Sequence, residues 1–166
     1  MAEFINTIDK FGDDAVIDSI IERSITEFHD NIVTTIASAA FLFCTALISV
    51  KLPAVTLIGT SALQGCSELL FVDIWQPARL EGYCFAVCPK FKGLILRSVD
   101  GVCILQGTAF VSTPFVSGAG YIYVPAVMVD SYKAATNWST YANQFRALED
   151  YTVDGTITGE LDETKI

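Results

Sequence analysis

Five cysteines, one histidine and 19 acidic residues are the side chains of this 166-residue chain that could carry chemistry. Cys44, Cys66 and Cys88 recur every 22 residues, an arrangement that invites a thiolate metal site. Zinc thiolate sites are built on short pairs such as C-x-x-C, and the sequence holds no such pair. A column of small, buried, weakly polar thiols is the better reading, and no metal or cofactor is expected. Cys84 and Cys103 have no partner by spacing and read as buried or semi-buried thiols. The sole histidine, His29, falls on the outward side of a strand beside Lys51, so a Cys–His dyad would need a cysteine that points the other way. Gly118-Ala119-Gly120 precedes a strand instead of following one, so it reads as a turn and not as a phosphate loop. Asn137-Trp138-Ser139 matches a glycosylation sequon, but the asparagine is expected to cap a helix. These residues predict no catalysis.

The elements that must position these side chains are repeats. Ile36, Ile58 and Leu80 recur at the same spacing of 22, as do Phe41, Leu63 and Phe85; Leu47, Leu69 and Phe91; Val50, Val72 and Leu94; and Leu52, Ile74 and Leu96. With the cysteines, that makes six apolar columns in register over residues 33–96. A period near 22 with an L-x-x-V-x-L core is the signature of a leucine-rich solenoid. One unit cannot bury its apolar side alone, so neighbours stack to make the core.

The units resemble the bacterial surface protein A type of leucine-rich repeat. Val33-Thr34-Thr35-Ile36, Ala40-Phe41, Cys44, Leu47 and Val50-Lys51-Leu52-Pro53 follow its pattern, and Val55 through Ile74 repeat it. The third unit departs, with Trp75 in place of the proline and Pro77 where Val55 stood. The stretch from Gly120 to Tyr151 is similar to the closing cap of such proteins. The opening, Phe11 to Ile21, and the end, Thr152 to Asp162, look like short variants encoded by gut bacteriophages and their hosts. The resemblance implies an α/β right-handed leucine-rich repeat solenoid with a parallel sheet on one face, short helices on the other and helical caps at both ends. It also implies a virion protein made in host cytoplasm, of head or tail decoration or attachment type. A bacterial cell-surface adhesin for a host protein or glycan is the alternative setting.

Charge is uneven. Residues 1–30 hold eight acids and two bases, residues 147–166 six acids and one base, and the 116 between them five acids and seven bases. The ends are therefore net −6 and −5, and the middle is net +2. No basic footprint for nucleic acid is present, and the acidic ends serve solubility. The opening shows no basic segment followed by an apolar core, so no secretory signal is expected. The apolar run over 37–50 is too short to span a membrane. Without a signal, five cysteines argue for thiols.

In chain order, residues 1–32 should form an opening segment, a capping helix from Asp13 or Asp14 to about Arg23, and a first strand at Ile25–Phe28. Residues 33–124 form the repeats, with a short helix at Ser38–Cys44 and its equivalents. Asp100-Gly101 marks an insertion, because Phe110 follows Phe85 by 25 residues. Residues 125–151 form the cap: a helix from Pro125 to about Thr136, a second capped by Asn137 holding Trp138, Tyr141 and Phe145, and an edge strand at 147–151. Residues 152–166 read as an extended polar tail.

Strand alternation predicts three outward columns: Glu27, Ser49, Phe71, Gly93 and Tyr121; His29, Lys51, Asp73, Ile95 and Tyr123; and Asn31, Pro53, Trp75 and Arg97. Lys51 and Asp73 should form a cross-strand charge pair. Phe71, Trp75, Ile95, Arg97, Tyr121 and Tyr123 converge on one aromatic-rich patch, the candidate binding site. Exposed apolar patches of this kind mark interaction surfaces. The partner is expected to be another virion subunit or a second copy, with a bacterial surface or glycan as the alternative.

Overall fold

The computed structural model describes residues 16–17, 23–76 and 78–148. It is a mixed α/β structure with two wholly parallel sheets. The larger sheet contains β2 (Glu27–His29), β4 (Ser49–Leu52), β6 (Phe71–Ile74), β8 (Gly93–Leu96), β10 (Tyr121–Val124) and β11 (Phe145–Ala147), side by side in chain order. The smaller contains two-residue strands: β1 (Val16–Ile17), β3 (Thr35–Ile36), β5 (Leu57–Ile58), β7 (Arg79–Leu80) and β9 (Ile104–Leu105). From β1 to β10 the chain alternates between the sheets, so each strand pairs with the next of its own kind, and β11 then follows β10 within the larger sheet.

The register follows the sequence columns. Ser49 faces Phe71 and Phe71 faces Gly93, a step of 22 each time. In the smaller sheet Thr35 faces Leu57 and Leu57 faces Arg79, again 22 apart. The step lengthens to 25 between Arg79 and Ile104, which places the insertion at Asp100-Gly101 as the sequence predicts. A step of 28 from Gly93 to Tyr121 adds a second insertion, occupied by the 3-10 turn Pro114–Ser117 and the left-handed Gly118.

The core lies between the sheets. Val50, Val72, Leu94 and Ile122 meet Ile36, Ile58, Leu80 and Leu105, all buried. Phe41, Leu63, Phe85 and Phe110 close the third side, with the cysteine column beside them. Apolar burial at about 25 cal/mol per Å2 is the main force holding these layers together.

The helices expected at Ser38–Cys44 and its equivalents are absent; each segment is a run of tight turns. Ala39, Phe43, Ser61, Tyr83 and Val87 have φ near 60°, the left-handed region, which no helix admits. The reason is spacing. Parallel strands of successive units lie ~4.8 Å apart, whereas a helix with its side chains needs ~10 Å. The turns resolve this by dividing their N–H groups. Those of Ala40, Leu42 and Cys44 bond three residues back, while those of Ala39, Phe41 and Phe43 bond Thr60, Ala62 and Gln64 in the next unit. Ser61, Leu63 and Gly65 repeat the pattern onto Gly82, Cys84 and Ala86. The turns thus form a third ladder.

At the start, the capping helix is overturned where the structure describes it: Val16–Ile17 is a strand paired with Thr35–Ile36. Two β-branched residues beside an open ladder favour pairing over a helical turn. The rest of that helix, residues 1–12 and the tail 152–166 lie outside the described residues. At the other end, Pro125 leads into a 3-10 turn at Ala126–Met128 and then α1 (Val129–Ala134). A 3-10 stretch follows at Trp138–Gln144, and Phe145 is not in it but opens the edge strand β11, ahead of the predicted position.

All five cysteines are buried and unpaired as thiols. Cys66 Sγ donates to the Phe41 carbonyl at 3.3 Å and Cys88 Sγ to that of Leu63 at 3.2 Å, so each thiol bonds the preceding unit. Burial pushes the thiols of Cys44, Cys84 and Cys103 up. The neighbouring Cys88 thiol and burial do the same for Cys66. Iodoacetamide at neutral pH should therefore leave all five unmodified in the native protein and label all five in denaturant, because the thiolate is the reactive form. Fast native labelling at Cys44, Cys66 and Cys88 would refute this placement.

Candidate binding face

The outer side of the larger sheet carries the predicted columns in the predicted register. Glu27, Ser49, Phe71, Gly93 and Tyr121 are successive partners, as are His29, Lys51, Asp73, Ile95 and Tyr123. The six candidate residues do come together, but not as one open patch. Trp75 is 50% exposed and Tyr121 41%. Tyr123 is half-buried. Phe71 and Ile95 are only 2% and 1% exposed, which corrects the expectation that they face solvent. Alternation fixes which side a residue points to, not whether that side is covered.

Arg97 organises the exit end of the strands. Its Nε and Nη2 donate to the two carboxylate oxygens of Asp73, both at 2.8 Å, a forked pairing that fixes both groups. The Asp73 side chain is 4% exposed and that of Arg97 19%, so the pair is largely out of water. The predicted Lys51–Asp73 pair is replaced by this one. Lys51 is the register neighbour of Asp73, but the guanidinium reaches both oxygens where an ammonium offers a single point charge. The Arg97 guanidinium also lies 5.5 Å from the centre of the Trp75 ring, so Trp75, Arg97 and Asp73 form one stack.

A second stack stands at the cap end. The Arg146 guanidinium lies 4.5 Å over the Tyr121 ring, while Nη1 donates to the carbonyls of Asn143 and Phe145. Tyr121 meets Tyr123 edge-on at 6.5 Å. Arg146 was missed in the sequence; it faces Tyr123 once β11 is placed on β10. Beside it lies a groove of about 440 Å3 lined by Ser117, Thr140, Tyr141, Asn143 and Gln144 among others. Gln144 Nε2 donates to the Phe115 carbonyl at 2.9 Å. Its buried Oε1 is the single buried side-chain acceptor without a partner among the described residues.

His29 is exposed, and its Nε2 lies 3.5 Å from Ser49 Oγ, at the outer limit of a hydrogen bond. The cysteines lie on the core side of the sheet and His29 on the outer side, so the two are not brought together. Among the described residues, no group of three or more histidine, cysteine, aspartate or glutamate side chains converges on a metal position. No described helix is long and apolar enough to cross a membrane. No protein-family model matches the chain, and no curated protein matches it.

Proposed function

We propose that this chain is a right-handed leucine-rich repeat solenoid acting as a non-catalytic binding and structural module, a bacteriophage virion component. Its partner is another virion subunit or a second copy, engaged through Trp75, Arg97, Tyr121 and Tyr123. The 22-residue step shared by both sheets supports the repeat reading, and the bacterial surface protein A type resemblance supplies the phage setting. One observation carries the binding face: two half-exposed aromatic rings, each held by a guanidinium. Aromatic and arginine side chains dominate interface energetics, and here the contacts within each stack already hold the guanidinium in place.

Trp75→Asp with Tyr121→Asp should leave the folded protein intact by circular dichroism and denaturant melt. Mass spectrometry of purified particles should then show the wild-type protein present and the double variant lost. Normal incorporation of the double variant would place the contact elsewhere. The groove beside Arg146 favours a second reading, a cell-surface adhesin, since amides and hydroxyls around an aromatic ring suit a glycan. Absence of the wild-type protein from particles, with binding to a bacterial or host surface, would select that reading.

A further inference from the structure

Phe71 and Ile95 raise a question that the exposed ring stacks do not answer. Both point to the outer side of the sheet, both are almost wholly buried, and neither belongs to the apolar cluster between the sheets. Ile95 has a large neighbour on one side only, Tyr123, with Asp73 on the other. Phe71 stands between Ser49 and Gly93, and a glycine has no side chain to shield a ring. We propose that the chain's own segment 151–161 lies across this face and covers Phe71 and Ile95.

Three observations support that occupant. The first is its pattern. Tyr151, Val153, Ile157 and Leu161 occupy alternate positions, with only glycines at 155 and 159 between them, while Thr152, Asp154, Thr156, Thr158 and Glu160 take the others. Such a period of two gives an extended segment one apolar and one polar side. The second is reach. The described chain stops just after β11, the edge strand, and Ile95 and Phe71 lie two and three strands inward. At ~4.8 Å per strand this is about 10–15 Å, which about five extended residues cover at ~3.3 Å each. The third is charge. Residues 151–161 carry Asp154 and Glu160 and no base, and the outer face offers Lys51 and Arg146 against Glu27, with Arg97 and Asp73 neutralising each other. This inference stands apart from the partner reading: the segment covers Phe71 and Ile95, whereas the partner engages the ring stacks.

The test uses the full chain. Tyr123→p-benzoylphenylalanine places a photo-cross-linker beside Ile95, and irradiation of mixed isotope-labelled and unlabelled protein distinguishes links within a chain from links between chains. Cross-links to residues 151–161 of the same chain are expected. Links to residues 1–22, or no links to 151–161 of the same chain, would overturn the proposal, whereas links to a second chain made in addition report the partner contact at Tyr123. Phase gives a second measurement. Val153→Asp with Ile157→Asp should raise binding of an apolar dye several-fold, whereas Thr156→Asp with Thr158→Asp should not. Equal responses from the two pairs would also overturn it. Loss of particle incorporation by the ring-stack variants, with these results unchanged, would bear on the partner alone.

Discussion

Trp138→Ala should lower the unfolding free energy by about 3–5 kcal/mol, the range for truncating a large buried aromatic. The indole is fully buried, with Tyr132, Phe145 and Phe110 at 5.4, 6.0 and 6.1 Å between ring centres. It also does what a strand would do. β9 is the last strand of the smaller sheet, and its outer edge would present unpaired backbone groups to the cap. Trp138 Nε1 donates to the Cys103 carbonyl at 2.6 Å, Tyr132 Oη accepts from the Cys103 N–H at 3.1 Å, and Asn137 Nδ2 donates to the Leu105 carbonyl at 2.6 Å. Three side chains replace one strand. Trp138→Phe keeps most of the ring but orphans the Cys103 carbonyl, so it should still cost about 1–3 kcal/mol. Urea melts of both variants check this, and a loss below about 1 kcal/mol for the alanine variant would mean the cap is not the closure.

Phe85→Ala should cost a similar amount, about 3–5 kcal/mol. The Phe85 ring lies 5.0 Å from that of Phe91 and stacks on Phe110 at 5.7 Å, which in turn contacts Phe115 at 4.8 Å. Removing it opens a cavity at the end of a four-ring cluster, beside Phe91 and Phe110, where the bonded ladders of strands and turns limit collapse. Phe41→Ala, whose ring meets Phe28 at 4.8 Å, should fall in the same range of about 3–5 kcal/mol. Denaturant melts yielding less than about 1 kcal/mol for both would show that the inward column has been misassigned.

The register of the larger sheet was legible from Glu27 to Tyr123, because strand side chains alternate and the apolar columns repeat without slip from Ile36 to Leu96. The insertion at Asp100-Gly101 was legible for the same reason. The smaller sheet was not, because two-residue strands are too short to show an alternation. Nor were the turns. Ala40, Phe41 and Cys44 point inward from a tight turn as they would from a helix, so the apolar spacing is silent between the two. Among the left-handed positions of the turns between Ala39 and Val87 only Gly65 carries the expected residue type; Ala39, Phe43, Tyr83 and Val87 give no warning. Asn137 was read as a helix cap, and it does stand at a helix start in a left-handed conformation. Its amide instead serves the sheet edge, a partner 32 residues away that no local pattern reveals. On the candidate face, composition located the residues, but the choice of Arg97 over Lys51 for Asp73 depended on geometry across strands.

The turn ladder has a consequence for how such a chain can change length. Every unit between Thr35 and Leu96 is bonded to its neighbour along both sheets and through the turns at a constant offset, 22 residues between sheet partners and 21 through the turns. A gene that gains or loses one whole unit here leaves every remaining bond with an equivalent partner. A gain or loss of one residue would break the phase of the ladders together. The step departs from 22 outside this stretch: it is 19 from Val16 to Thr35 and 23 from Ile122 to Phe145, and it lengthens at the corners holding Asp100-Gly101 and Pro114–Ser117. Relatives that differ in size should therefore differ by unit-sized blocks in the middle and by a few residues at these corners.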